Sequence, residues 1–299
     1  QRADRRARRG GRAVGAGRAE EDARAPGAPG AGGPGPPPAL PGLRELRAPD
    51  AAVDRRRRHR VGRAEGRGAM IPLHGSRVLV TGAAGFVGPH LVTALVARGA
   101  RVRGAGLGAP PASSPLEGWQ EADFAEFAQA QVVLQAAPVD AVVHLAGQSS
   151  AARSFEAAQE TFRANVTGTW SLLEATRVLA PRARVLIVSS SEVYGPIAPG
   201  TRAAEDTPFA PSSPYALSKA AAEEVARAYV EAHELDVVRA RPFGHTGPGQ
   251  TPRFVVPSFA EQVVRIEAGR AEPVLRVGNL DVTRDLSDVR DVVEGYCLL

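Results

Sequence analysis

The stretch RVLVTGAAGFVG, residues 77–88, predicts a strand followed by a glycine-rich turn and the start of a helix. Its first five residues, RVLVT, contain a short apolar run, which is typical of a strand. The helix extends to about Arg98, before Gly99. Such a turn lets the backbone approach a pyrophosphate, whose charge meets the positive end of the helix. The stretch therefore indicates a dinucleotide-binding unit, and a tight turn without a ligand is the alternative that it leaves open.

Further apolar runs alternate with helical segments along the chain. Strands are predicted at residues 100–105, 141–147, 185–188 and 236–243, and helices at about 161–180 and 214–233. The strands are largely apolar, which is typical of a parallel sheet covered by helices on both faces. We therefore expect an α/β fold with a doubly wound parallel sheet of the Rossmann type.

The amino-terminal segment, residues 1–69, differs in composition from the rest of the chain. It is rich in Arg, Gly and Pro and contains no aromatic residue, so it does not bury enough apolar surface to offset its ordering entropy. We expect residues 1–69 to form a disordered arm. Because Met70 is the only methionine, we interpret this arm as the product of translation upstream of a true start at Met70. The folded part then consists of a dinucleotide-binding domain, 70–243, and a partial substrate-binding region, 244–299.

Composition also excludes several classes of protein. Cys297 is the only cysteine, so an internal disulfide and a cysteine metal cluster are excluded, and we expect no bound metal. The basic run at 55–60 has no aromatic or structured element beside it, so we expect no nucleic-acid partner. Because no signal peptide or apolar membrane span is present, we expect a soluble cytoplasmic protein without a membrane partner.

Two short segments combine hydroxyl groups, a phenol and a lysine. SSSEVY, residues 189–194, follows the strand at 185–188, and SPYALSK, residues 213–219, opens the long helix. Tyr215 and Lys219 are four residues apart and lie on one face of that helix. An ammonium group beside a phenol lowers its pKa from about 10, which suits proton exchange with a sugar carbonyl. Lys219 is the only lysine among 37 Lys and Arg residues, which favours this interpretation over that of a surface lysine.

The second strand is expected to end near the ribose of a bound adenosine. An acidic residue there would bond to the ribose hydroxyls and repel a 2′-phosphate, but the chain has Gly106 at this position. Arg101 or Arg103 could reach a 2′-phosphate, although both also fit a solvated strand face. The expected cofactor is therefore NADP or NAD.

Taken together, these motifs resemble the extended branch of the short-chain dehydrogenase/reductase family, of the NAD-dependent epimerase/dehydratase type, over essentially all of residues 75–299. The matching motifs are Thr81-Gly82-x-x-Gly85-x-x-Gly88, Asp123, residues 144–147, Asn165-Val166-x-Gly168, residues 189–195 and Tyr215-x-x-x-Lys219. Residues 241–250, 254–260, 277–281 and 284–291 are similar to the reductases of GDP-6-deoxy-4-keto-D-mannose. The family usually has Asn at the position of Gly244 and continues past Leu299, so the resemblance implies a smaller, C-terminally truncated substrate domain.

The resemblance also implies roles for individual residues. Tyr215 and Lys219 would be the catalytic pair with Ser190 as the hydroxyl partner, Asp123 would contact adenine, and Arg284 would bind the substrate pyrophosphate. The implied cofactor-binding residues are Gly82, Gly85, Phe86, Val87, Gly88, Asp123, Phe124, Leu145, Ala146, Gly147, Tyr215 and Lys219. The implied substrate-binding residues are Ser191, Glu192, His245 and Arg284, with Glu192 also a candidate for catalysis.

Three functions follow from these residues. The favoured one is NAD(P)H-dependent reduction of the C4 ketone of a nucleotide-linked 6-deoxysugar, with a GDP-linked substrate and GDP-D-rhamnose as product. The first alternative is a nucleotide-sugar 4,6-dehydratase or 4-epimerase, in which Glu192 would take the C5 proton in a dehydratase. The second is a non-catalytic NAD(P)-binding protein, against which the complete Ser-Tyr-Lys set argues. The sequence leaves a homodimer open.

Overall fold

A computed structural model describes residues 72–198 and 200–299 of the chain, so the predicted arm at 1–69 lies outside the described residues. The central element is a six-stranded parallel sheet with the strand order β3-β2-β1-β4-β5-β6. Its strands are β1 Arg77–Thr81, β2 Arg101–Gly106, β3 Gly118–Glu121, β4 Ala141–His144, β5 Arg184–Val188 and β6 Val237–Ala240. The predicted Rossmann-type sheet is therefore confirmed.

Helices cover both faces of this sheet. The helices in the described ranges are α1 Val87–Ala97, α2 Phe127–Gln135, α3 Ala151–Glu156, α4 Ala158–Phe162, α5 Gly168–Leu179, α6 Pro214–His233, α7 Val255–Glu267 and α8 Val289–Leu298. Helices α1 and α8 enclose one apolar core with the sheet, whereas α2, α5 and α6 enclose the other. The largest fully buried side chains include Leu79, Leu91 and Leu172, each of which stabilises the fold by about 1.5–3 kcal/mol through burial.

The predicted elements agree with the structure except where they are short or irregular. The helix expected at 161–180 contains a π-helical turn, Arg163–Thr167, between α4 and α5. Strand β3 was not predicted, because GWQE is a four-residue edge strand without an apolar run. A small second sheet pairs β7 Gly244–Thr246 with β8 Leu286–Asp288 in parallel, and these three-residue strands carry no pattern that periodicity detects.

The region from residue 244 onward packs unevenly on the sheet. Helix α8 buries Val289, Val293 and Tyr296 in the core that α1 also lines, whereas α7 has no buried residue. The domain boundary after 243 stays a prediction. No helix in the described ranges is long and apolar enough to cross a bilayer.

Candidate active site

The turn after β1 leaves bare backbone at the carboxyl edge of the sheet. Gly82 has a φ of +67°, and a Cβ there would lie 2.6 Å from the backbone nitrogen of Ala146, so only glycine permits this approach. A Cβ at Gly88 would overlap the backbone of Ala83. No side chain caps the amino terminus of α1, which leaves its first N–H groups to an anion. These residues fit the pyrophosphate of a dinucleotide.

The loop after β4 is held against this turn. The backbone N–H groups of Leu145 and Ala146 donate to the carbonyl and the hydroxyl of Thr81, at 3.1 and 3.2 Å. The Thr81 hydroxyl also contacts Nδ1 of His144 at 2.8 Å. Burial lowers the pKa of His144 to about 3, with a smaller effect from Lys219, so this imidazole is neutral at physiological pH. The predicted segment 145–147 therefore lies beside the glycine turn.

Helix α6 brings Tyr215 and Lys219 to the carboxyl end of β5. The Ser213 hydroxyl accepts a hydrogen bond from the Ala216 N–H at 3.0 Å and caps the helix. Tyr215 is 7% exposed, and Nζ of Lys219 donates to the carbonyl of Val188 at 3.0 Å. Tyr215 and Lys219 therefore project from one face of α6 toward the end of the strand, as expected from their spacing.

The expected effect of Lys219 on the tyrosine is wrong for this structure. Burial raises the pKa of Tyr215 to about 12, interaction with the Ser190 hydroxyl lowers it, and the Glu192 carboxylate raises it. Burial lowers the pKa of Lys219 to about 8, against a raising contribution from Glu223. The physical reason is desolvation, because an enclosed phenol and an enclosed ammonium both favour their neutral forms.

The segment after β5 carries the remaining predicted catalytic groups. Residues Ser191–Tyr194 form one 3₁₀ turn, and the Ser190 hydroxyl accepts a hydrogen bond from the Glu192 N–H at 3.2 Å. Burial raises the pKa of the Glu192 carboxyl, and the positive charge of Arg284 lowers it. Arg284 is exposed and acts on Glu192 from the segment that precedes β8. The structure thus groups Ser190, Ser191 and Glu192 at the end of β5, with Arg284 opposite.

Asn165 is a buried polar residue that the predicted site residues omit. It lies in the π turn at 1% exposure. Its Oδ1 accepts from the Gln148 N–H at 2.8 Å, and its Nδ2 donates to the Gln148 carbonyl at 3.0 Å and the Ser218 hydroxyl at 2.9 Å. It therefore ties the loop after β4 to α6 between Tyr215 and Lys219. The signal available in the sequence was the Asn165-Val166-x-Gly168 motif.

The adenosine side of the site contains Asp123 and Phe124. Oδ1 of Asp123 accepts the Ala125 N–H at 2.9 Å, and its Oδ2 pairs with Arg163 at 2.8 Å. Arg163 also pairs with Glu126 at 2.5 Å. The Phe124 ring is buried in the core and packs edge-on against His144.

Of the two positions left open for Arg101 and Arg103, the strand geometry favours the one away from a 2′-phosphate. Arg101 is the first residue of β2 and pairs with Glu117 at 2.9 Å, about five residues, or roughly 16 Å, from Gly106 at the carboxyl end. Arg103 is about 10 Å from that end on the same rise. Side chains at 101 and 103 also project to the sheet face opposite to that of position 106, because strand residues alternate. Both arginines line a cavity beside Pro138 instead.

His245, predicted to bind the substrate, contacts the glycine turn. Its ring stacks on Phe86 with centroids 6.1 Å apart and an angle of 14°, and its Nδ1 lies 3.0 Å from the Phe243 carbonyl oxygen. Phe86 precedes Val87, the first residue of α1. The structure therefore places His245 near the predicted cofactor residues Phe86 and Val87.

This combination of a parallel doubly wound sheet, a bare glycine turn and a Ser-Tyr-Lys group at the carboxyl edge defines a class of dinucleotide-dependent enzymes. The model of one family, GDP-mannose 4,6 dehydratase, matches residues 79–299. The chain belongs to this family, within the extended short-chain dehydrogenases/reductases of the NAD-dependent epimerase/dehydratase type. It is a nucleotide-sugar-modifying enzyme of that type.

Individual relatives represent different reactions. The chain is 37% identical over 224 residues to GDP-6-deoxy-D-mannose reductase of Pseudomonas aeruginosa, which covers 75% of this chain and 70% of the relative. The structure of RMD from Pseudomonas aeruginosa complexed with NADPH matches with a TM-score of 0.64 and 34% identity, over 74% of this chain and 72% of that one. The complex of Thermus thermophilus UDP-glucose 4-epimerase with NAD matches with a TM-score of 0.66 and 32% identity, over 74% of this chain and 73% of that one.

Proposed function

We propose that this protein reduces the C4 ketone of a nucleotide-linked 6-deoxysugar, with GDP-4-dehydro-6-deoxy-D-mannose as substrate and GDP-D-rhamnose as product. The observation that carries the proposal is the position of Ser190, Tyr215 and Lys219 at the carboxyl edge, beside the bare turn at Gly82. The likeness to the Pseudomonas aeruginosa reductase supports the choice of substrate. The cofactor is NAD or NADP, as named for structures of related chains.

Tyr215 and Ser190 have separate roles at the ketone. A reduced nicotinamide bound beside the turn at Gly82 would supply the hydride for C4 of the sugar. The Tyr215 phenol, whose pKa lies near 12, keeps its proton at neutral pH and donates it to the carbonyl oxygen as that oxygen becomes an alkoxide. The Ser190 hydroxyl donates a hydrogen bond to the same oxygen and orients the ketone. One hydride and one proton together convert the ketone to an alcohol.

Lys219 and Asn165 hold this arrangement in place. The Lys219 ammonium donates to the Val188 carbonyl, which fixes the side chain at the end of β5 on the same face of α6 as Tyr215. Asn165 keeps the loop after β4 against α6. On the substrate side, the Arg284 guanidinium binds the nucleotide pyrophosphate, for which its paired donors are suited.

A 4,6-dehydratase is the second candidate, and Glu192 is the observation that favours it. This half-buried carboxyl lies two residues after Ser190, and burial raises its pKa, which suits a group that exchanges a proton with C5. A reductase removes no C5 proton. Glu192 therefore separates the two reactions.

The decisive experiment supplies GDP-4-dehydro-6-deoxy-D-mannose with NADH or NADPH and follows the loss of reduced-nicotinamide absorbance. A parallel assay supplies GDP-mannose and follows formation of its 4-keto product. The proposal expects turnover only in the first assay, and a Glu192→Gln variant that keeps most of this activity. Glu231→Gln, which changes an exposed carboxylate at the far end of α6, is the matched control. Turnover of GDP-mannose that Glu192→Gln abolishes would establish the dehydratase instead, and cofactor binding without turnover would favour a binding protein.

A further inference from the structure

Gly106 stands where an acidic residue would select NAD over NADP, so this position does not explain which of the two cofactors the site prefers. A 2′-phosphate needs a cationic partner near the carboxyl end of β2, and Arg101 and Arg103 lie toward the other end and on the other face. The sequence from Gly104 to Ala152 contains no lysine or arginine, although the chain has 37 such residues. The glycine turn, residues 82–88, contains none either. These segments therefore offer no cation to a 2′-phosphate.

An acidic side chain reaches the same position from the neighbouring strand. Glu121, the last residue of β3, pairs in register with Gly106 at the carboxyl edge. Register partners in adjacent strands project to the same sheet face, and a Cβ at Gly106 would lie 3.5 Å from Cα of Gly82. The Glu121 carboxylate therefore projects to the face on which the glycine turn lies.

The Glu121 side chain is held in this position. Its Oε1 accepts a hydrogen bond from the Gly108 N–H at 3.2 Å, and the carbonyl of Gly108 accepts from the Trp119 indole at 3.1 Å. The second carboxylate oxygen has no ion-pair partner among residues 72–198 and 200–299. Arg163 is paired with Asp123 and Glu126 instead.

We propose that Glu121 takes the place of the missing acid at position 106: its free oxygen accepts hydrogen bonds from the adenosine ribose hydroxyls, and its charge repels a 2′-phosphate. The protein then prefers NAD(H) to NADP(H), unlike the related structure that contains NADPH. This inference rests on the dinucleotide site of the proposed function and adds the residue that selects the cofactor.

The test measures dissociation constants by calorimetry for ADP-ribose and 2′-phospho-ADP-ribose, which report on the ribose end without any turnover. Low ionic strength is used because Glu121 is exposed and salt screens its charge. We expect ADP-ribose to bind at least about tenfold more tightly. In Glu121→Gln the ratio falls to about one, because the amide oxygen still accepts the Gly108 N–H but the charge is gone. Glu117→Gln, at the amino end of β3 and paired with Arg101, leaves the ratio unchanged.

Each outcome decides between the two proposals. Equal or tighter binding of 2′-phospho-ADP-ribose by the unaltered protein, or an unchanged ratio in Glu121→Gln, overturns the role of Glu121 and leaves the dinucleotide site standing. If neither compound binds, the dinucleotide site itself is wrong and both proposals fail. A Glu121→Arg variant adds a positive result, since it should bind 2′-phospho-ADP-ribose more tightly than ADP-ribose.

Discussion

The two ends of the dinucleotide site differ in the solvent exposure of their polar groups. At the catalytic end, defined by Ser190, Tyr215 and Lys219, the residues that carry hydroxyl groups are buried: Ser190 is 8% exposed and Tyr215 is 7% exposed. The ribose end, defined by Gly106, Gly108 and Glu121, lies at the protein surface. Gly108 and Glu121 are exposed, and the neighbouring Leu107 is 71% exposed. A buried polar group needs a hydrogen-bonding partner inside the protein, whereas an exposed one can also be satisfied by water.

This difference indicates how each end responds to change. A buried polar group contributes to chemistry and to folding at once, because removing its partner leaves an unpaired group in a low-dielectric interior. An exposed charge can be exchanged with little loss of stability. Substitutions at the catalytic end should therefore cost rate or stability, and substitutions at the ribose end should change only selectivity.

The largest effect is expected from Tyr215→Phe, which removes the proton donor and keeps the ring. Ketone reduction should fall by about 10²–10⁴-fold, the usual contribution of general acid catalysis. Dissociation constants for NAD(H) should change little. Tyr229→Phe, on the same helix with its hydroxyl bonded to Glu174, should retain full activity. Steady-state kinetics check this prediction, and unaltered turnover in Tyr215→Phe would remove Tyr215 from the mechanism.

Next in size is the loss of an ion pair behind the catalytic end. Arg241 binds Glu223, which is 1% exposed, through its Nε and Nη2 atoms. Its Nη1 atom donates to the Tyr194 hydroxyl and the Glu205 carbonyl. Arg241→Met should lower the free energy of unfolding by about 3 kcal/mol, because a buried carboxylate loses its partner. Urea denaturation measures this change.

The matched control for this pair is Arg227→Met, which breaks exposed pairs with Glu224 and Glu231 on α6 and should leave stability nearly unchanged. The double variant Arg241→Met/Glu223→Leu should recover most of the stability, because it removes the unpaired charge. A stability loss in Arg227→Met equal to that in Arg241→Met would show that burial does not distinguish the two pairs.

A smaller effect is expected from pH. The folded state holds the pKa of His144 at about 3, below the ordinary value of about 6.5. Between these values the unfolded chain binds more protons, so stability falls as pH falls. From about pH 7.5 to about pH 5, this residue should account for a loss of about 2 kcal/mol. Urea denaturation of a His144→Gln variant should give a flatter dependence, and parallel curves would contradict the assignment.

The smallest effect is expected from Gly106→Asp at the ribose end. A Cβ there meets Gly82 and Trp119 no closer than 3.5 Å, which is ordinary van der Waals contact. It adds a second carboxylate beside Glu121 and should shift binding toward NADH by several-fold, up to about tenfold, since the exposed charge is partly screened. Fluorescence titration with NADH and NADPH measures the shift, and an unchanged melting temperature is the control. A shift toward NADPH would contradict the placement of the ribose.

Sequence patterns predicted the long elements of the fold and the positions of the main site residues. The run 77–88 was predicted because a short, largely apolar segment precedes a glycine-rich turn, and the helix 214–233 because it is rich in Ala and Glu and has no internal glycine. Strand β3 was missed because GWQE lacks such a pattern. Asn165 was recognised only as part of a motif, because nothing in the sequence shows that its amide would be buried and bonded to Gln148 and Ser218.

The sequence by itself therefore determined the α/β class, the glycine turn and the helical spacing of Tyr215 and Lys219, since these depend on local periodicity and chain geometry. Only the tertiary structure decided the direction of the pKa shifts at Tyr215 and Lys219, because burial depends on which elements pack together. It also decided that Glu121 of β3 lies beside Gly106 of β2 at the carboxyl edge of the sheet. Register between strands sets those positions, and hydrogen bonding between segments distant in sequence determines that register.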